Sequence, residues 1–164
     1  MRLTLEEVLG DEGRTLYTLE WLRERAEAHL DPARFVGEIF LAEEAEAGVV
    51  GHTIVRIERD ERGTFGLFST TWVNPESRRA GLAERLLDAG ETWFMEHRLR
   101  RFATDTSDTN TPLLALFGRR GYTVSFRSAE RRMVRLERVL EPGYGDAAHE
   151  GDISTIEKLD TRDI

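Results

Sequence analysis

The sequence predicts a mixed α/β (α+β) domain, one mixed sheet with helices on its faces. Three observations carry that expectation. Stretches with apolar residues every three or four positions alternate with short β-rich runs through the middle of the chain. Those runs are bounded by Gly, Pro and Asp turns such as AEAG and DERG. The 164 residues, 40% hydrophobic and 33% charged, are enough for one sizeable core and contain no internal repeat.

The elements follow in order. Thr15 to Leu30, TLYTLEWLRERAEAHL, reads as a helix, because Leu16, Leu19, Leu22 and Ala26 share a stripe, and Asp31-Pro32 stops it. The nine residues MRLTLEEVL before it fit a short strand or a short helix equally well. Glu38–Ala42 is a short strand, Val49–Arg59 alternates as a second, and Thr64–Val73 is a third β-rich run. From Gly81 to His97 the stripe Leu82, Leu86, Ala89 and Trp93 predicts a helix, with Leu87, Gly90 and Phe94 beside it. RRFATDT is a strand. NTPLLALFGRRGY is a short helix, capped by Asn110 or Thr111, with Pro112 in its first turn and Gly121 at its end. YTVSF and RRMVRLERVL form a closing hairpin. Residues 1–140 therefore read as one domain. Residues 141–164 read as an acidic tail, either a docked helix suggested by the capping pattern Ser154-x-x-Glu157 or a disordered segment.

Charge and composition narrow the function. The net charge is −8, and most of it sits in the tail, where seven acids face two bases. An acidic chain is a poor partner for nucleic acid. No apolar run approaches the ~18 residues of a membrane span, and the N-terminus is too polar for a secretory signal. The absence of cysteine removes disulfides, cysteine–zinc sites and a cysteine nucleophile, and is compatible with a cytoplasmic protein. No histidine spacing suggests a metal site, so none is expected.

The most informative stretch is VNPESRRAGLAERLL, Val73 to Leu87. Pro75 takes the chain out of a strand, and a helix begins a few residues later. A helix N-terminus offers unpaired N–H groups and partial positive charge, and anions bind there. Arg78 and Arg79 add charge, while Ala80, Gly81 and Ala83 remove bulk. The junction reads as a seat for a diphosphate. It is no P-loop, for it lacks GxxxxGK[ST]. GYGDAA at 143–148 has the outline of a dinucleotide fingerprint, but Pro142 precedes it and too little chain follows to complete a βαβ unit.

V73-N-P75-E-S-R78-R-A-G81-L-A83 resembles motif A of the GNAT (Gcn5-related) N-acetyltransferases. N110-T-P-L-L-A-L116-F117-G-R-R-G121-Y122 is similar to a second pattern of that family, at the family's spacing. The resemblance covers roughly residues 35–140. It implies a twisted, mostly antiparallel sheet of six to seven strands with helices on both faces. It also implies acetyl-CoA as co-substrate, and an amine acceptor, small molecule or peptide. The coenzyme contacts it implies fall on Trp72, Val73, Arg78, Arg79, Ala80, Gly81, Leu82, Ala83, Asn110 and Phe117. Amides around Arg78 to Ala83 would hold the diphosphate. Val73 would pair with the pantetheine arm and offer an N–H to the thioester oxygen, and Asn110 would contact the arm or its neighbouring backbone.

Three departures from the pattern bear on catalysis. Arg79 stands where the family usually has Gly. Phe117 stands where many members have a tyrosine that protonates the departing thiolate. The run TFGLFSTTWV has no carboxylate to serve as base. His52 and Asp105 are candidate bases, and Tyr122 is a candidate acid. Two readings stand side by side: an N-acetyltransferase working by direct attack in a ternary complex, and an acyl-CoA-binding module of the same fold with little or no catalysis. A homodimer is an open expectation in either reading.

Overall fold

The computed structural model describes residues 18–31, 33–141 and 156–158. Thr18 caps the first helix, its Oγ1 accepting from the Trp21 amide at 3.1 Å, and α1 runs Leu19–Leu30. The first nine residues, Leu16 and the start expected at Thr15 lie outside the described residues. Leu19, expected on an apolar stripe, is 64% exposed, since it sits in the first turn beside the cap.

Six strands follow, bounded much as the turn signals require: β1 Gly37–Glu44, β2 Gly48–Asp60, β3 Gly63–Val73, β4 Arg101–Ser107, β5 Thr123–Ser128 and β6 Met133–Val139. Helix α2, Leu82–Glu96, joins β3 to β4, and α3, Thr111–Arg119, follows β4. Residues Ile156–Lys158 of the tail form a three-residue edge strand, β7, antiparallel to β1 at Phe40 to Ala42. The helix suggested for the tail is therefore replaced, at these three residues, by a strand. The edge of β1 presents unpaired backbone groups, and pairing there outweighs a weak local helix signal. The sheet order is β5-β6-β4-β3-β2-β1-β7, and among the described strands only β3 with β4 is parallel. The fold is thus mixed α+β with a mostly antiparallel sheet.

Helix α2 buries the stripe its periodicity announced: Leu82, Leu86, Leu87, Ala89, Gly90, Trp93 and Phe94 all face the core. Phe68 of β3 packs edge-on against Phe94 of α2 and Phe117 of α3, with ring centroids 5.0 and 5.4 Å apart. Two glycines let helix and sheet approach this closely. A Cβ on Gly66 would lie 2.4 Å from the Phe94 ring, and one on Gly90 would lie 2.4 Å from the Phe68 ring. Gly90→Ala is therefore expected to destabilise the fold by about 1–3 kcal/mol, although alanine is the better helix former. Urea unfolding measures it: a lowered midpoint with unchanged slope is the expected result. An unchanged midpoint would show that the rings move aside at no cost.

Two ion clusters tie distant strands. Arg101 is buried in β4, where it meets Asp60 at 2.5 and 2.7 Å and the Gly63 carbonyl at 3.1 Å. Its guanidinium holds the Asp60 carboxyl down at about 2. The second cluster centres on Glu91 of α2, buried among Arg120, Arg138 and Tyr122.

Candidate functional site

The site begins with a fault in the ladder. Between β2 and β3 the register steps from Ile54↔Thr70 to Val55↔Phe68, so Ser69 is an extra residue in β3. A bulge bends its strand and sharpens the twist. The pairing of β3 with β4 stops at the same place: Gly66↔Phe102, Leu67↔Ala103 and Phe68↔Thr104 are its three pairs, and Thr104 Oγ1 pins the last by donating to the Phe68 carbonyl at 3.1 Å. Beyond it β3 continues to Val73 beside β2, and β4 continues to Ser107 beside β6. The two strands thus part inside the sheet, and Ser69 to Val73 have no β4 partner among the described residues.

The backbone of that free run has a definite polarity. The Asn74 amide donates to the Val50 carbonyl at 2.7 Å, which makes Val50 and Asn74 a hydrogen-bonded pair of the ladder. Such pairs alternate, so Trp72 turns its backbone to His52, while Thr71 and Val73 turn theirs into the gap. Arg78 Nε donates to the Val73 carbonyl at 2.9 Å, folding the loop back on the strand end.

A tight loop then leads to α2. Asn74 caps a 3₁₀ turn at Pro75–Ser77. Arg79 and Gly81 both take left-handed backbone conformations, with φ of 66° and 77°. The first explains the family's usual glycine at position 79: the turn requires positive φ, and Arg79 adopts it with its side chain exposed. Gly81 is the N-cap of α2 and has no side chain to cap with. The first ladder bond is Arg85 N–H to Gly81 C=O at 3.0 Å, so the amides of Leu82, Ala83 and Glu84 have no intrahelical acceptor. Ala80 and Gly81 are exposed, and open space surrounds the Gly81 Cα where a Cβ would point. Amides without an acceptor among the described residues, at a helix N-terminus beside Arg78 and Arg79, have the character of an anion-binding site.

The remaining residues separate into those near the gap and those committed elsewhere. Asn110 caps α3, its Oδ1 accepting from Leu113 N at 3.4 Å while its Nδ2 donates to Thr106 Oγ1 at 3.0 Å. It ties α3 to the free end of β4 and so fixes the far wall of the gap. Phe117 is fully buried against Phe68 and Tyr122 and has no proton to give. Trp72 and His52 face each other on adjoining strands, ring centroids 6.1 Å apart. Desolvation pushes His52 down to about 4, and its Nε2 has no hydrogen-bond partner among the described residues.

The other two candidates for proton transfer are held by partners. Tyr122 is buried and donates to Glu91 Oε1 at 3.0 Å; burial pushes its hydroxyl well above the usual tyrosine range, which does not suit an acid acting near neutrality. Asp105 is clamped by Arg135, directly opposite in β6, at 2.8 and 2.7 Å. Arg119 and Arg120 at the end of α3 pair with Glu84, and with Asp88 and Glu91, of α2. The bulge at Ser69 and the threonine pair Thr53 and Thr71 are features that sequence reading missed, because register is not written in local pattern.

The sheet thus opens between its two parallel strands, and the loop that leaves β3 leads to the N-terminus of α2. The sequence matches the profile of the acetyltransferase (GNAT) family over residues 3–122, and the chain belongs to that family. No protein of curated function matches it. Among solved structures its fold is similar to that of PaiA N-acetyltransferase from Thermoplasma acidophilum in complex with coenzyme A, at 16% identity and TM-score 0.61, with 84% of each chain covered. It is also similar to a GNAT family acetyltransferase from Elizabethkingia anophelis with acetyl-CoA bound, at 14% identity and TM-score 0.59, with 75% of this chain and 84% of the other covered. A third likeness is to the NatC complex bound to Gag peptide and CoA, at 15% identity and TM-score 0.57, with 63% and 71% covered.

Proposed function

We propose that the protein transfers the acetyl group of acetyl-CoA to a primary amine, small molecule or peptide, by direct attack in a ternary complex. The observation that carries this reading is the cradle of free amides at α2 opening onto a gap edged by the inward-turned backbone of Thr71 and Val73. The donors present suit coenzyme A. The amides from Arg79 to Glu84, with Arg78 and Arg79, would hold its diphosphate. The Val73 amide would meet the thioester oxygen, where negative charge grows during attack. Coenzyme A brings the activated acyl group, and the protein supplies position and electrostatics. Residues 1–140 act as the coenzyme-binding domain, and 141–164 as an acidic tail.

Of the three groups considered for proton transfer, only His52 has a titratable atom, Nε2, without a hydrogen-bond partner among the described residues. At about 4 it is neutral at pH 7 but a weak base toward an ammonium ion, so it serves to orient the amine rather than to deprotonate it. The amine must then arrive as its free base. The test is release of free thiol from acetyl-CoA across a panel of amines. For each acceptor kcat/KM should rise with pH up to that acceptor's own pKa, ~8 for an α-amine and ~10 for a lysine-like amine. The sign follows from the nucleophile: raising pH strips the ammonium and increases the reactive fraction. A plateau reached at pH 6–7 whatever the acceptor would reveal an enzyme base of ordinary histidine pKa and overturn this account.

The rival reading, a coenzyme-binding module with little catalysis, draws on Phe117, on the clamp that holds Asp105 and on the bond that occupies Tyr122. Coenzyme A binding with no thiol released across the panel would select it.

A further inference from the structure

Thr53 of β2 is fully buried, so its hydroxyl must find its partners inside the protein. Two lie within reach: the Thr70 carbonyl at 3.1 Å and Thr71 Oγ1 at 2.8 Å. A carbonyl can only accept, so the single Thr53 proton goes to Thr70. Thr53 Oγ1 is then the acceptor of the second bond, and the Thr71 proton goes to Thr53. Thr71 Oγ1 has no proton left to give and presents only lone pairs.

Thr71 stands where that polarity matters. It lies opposite Thr53, in the run of β3 without a β4 partner, and is half-buried. Its side chain lies on the same face as that of Val73 and as a Cβ at position 51 would, since strand residues alternate. That face is the one α2 covers: a Cβ on Gly51 would touch Leu86 of α2 at 3.3 Å and Val73 at 3.2 Å. A ligand arm running from the N-terminus of α2 into the gap would pass this hydroxyl.

We propose that Thr71 accepts a hydrogen bond from an amide N–H of the coenzyme's pantetheine arm, with Thr53 as the positioning residue that locks it as an acceptor. The inference rests on the coenzyme reading of the cleft. It explains why a buried threonine stands behind a half-buried one on a strand where valine would pack as well.

Binding calorimetry with two probes tests it. Coenzyme A carries the arm, and 3′-phospho-ADP has the same phosphates without it. Thr71→Val should weaken coenzyme A by about 3- to 10-fold, the usual worth of one such bond, and leave 3′-phospho-ADP unchanged. Thr71→Ser should bind both as wild type does. Thr53→Val frees the Thr71 hydroxyl to rotate and should weaken coenzyme A alone, with Thr53→Ser restoring it; a purely structural role for Thr53 would weaken both probes. Thr71→Val binding coenzyme A at full strength, or losing both probes equally, overturns the proposal. Failure of wild type to bind either probe would instead sink the coenzyme reading, and this proposal with it.

Discussion

Coenzyme A at one hundred times its dissociation constant is expected to raise the melting temperature of the wild-type protein by roughly 5–10 °C, and Gly81→Glu is expected to abolish the rise. Ligand at that excess stabilises the folded state by about 2.7 kcal/mol. A chain of this length gains roughly 2–4 °C per kcal/mol. Gly81 is where a single carboxylate does most harm to anion binding. Nothing lies within 4 Å of where its Cβ would point, so the new side chain has room and does not clash. The carboxylate would cap the free amides of α2 itself and repel a diphosphate from them. The substitution also puts a side chain at a φ of 77°, which costs about 1–2 kcal/mol of folding stability. Gly81→Ala carries that strain without the charge and is expected to keep most of the ligand-induced rise. The comparison therefore separates a damaged fold from a filled cradle. An undiminished rise in Gly81→Glu would place the diphosphate elsewhere.

What the sequence made legible, and what it hid, divides along the range of the interaction. Local signals were good. The stripe from Leu82 to Phe94 is the buried face of α2, and Asn110 with Pro112 marks the start of α3. The small residues at Ala80 and Gly81 mark the turn into α2 because bulk and positive φ are local properties. The parting of β3 from β4 is not written in any local pattern of residues. It follows from one residue of register at Ser69, set by pairing with a strand elsewhere in the chain. The fates of the titratable candidates were hidden for the same reason. Asp105 finds Arg135 thirty residues on, and Tyr122 finds Glu91 thirty-one residues back. Arg101 likewise finds its partner Asp60 forty-one residues away. Motif A marks the turn from β3 into α2, but the partners of the titratable groups depend on contacts that no window of sequence contains.

The largest stability loss is expected from Glu91→Leu. The Glu91 carboxylate is buried in α2 and receives four hydrogen bonds: Arg120 Nε at 3.3 Å, Arg120 Nη2 at 2.9 Å, Tyr122 hydroxyl at 3.0 Å and Arg138 Nη1 at 3.1 Å. It thereby fastens the end of α3 and the strand β6 to the helix that carries the cradle. Leucine fills most of the same space, so packing changes little and the electrostatic effect dominates. Removing one partner from a buried pair costs about 3–5 kcal/mol, because the other charge remains out of water. Arg120 is 20% exposed and keeps Asp88, and Arg138 is equally exposed, so the lower part of that range is expected. Against a typical total of about 5–15 kcal/mol this is a large fraction. Calorimetry should find the midpoint lowered by roughly 6–12 °C. The decisive measurement is the double variant Glu91→Leu with Arg120→Met. If the loss comes from a stranded guanidinium, removing it returns much of the stability, since a well-packed apolar pair can equal a buried ion pair. If the double variant melts no higher than the single one, the helix is held by the carboxylate's bonds to Tyr122 and Arg138 instead, and the node rather than the pair stabilises α2.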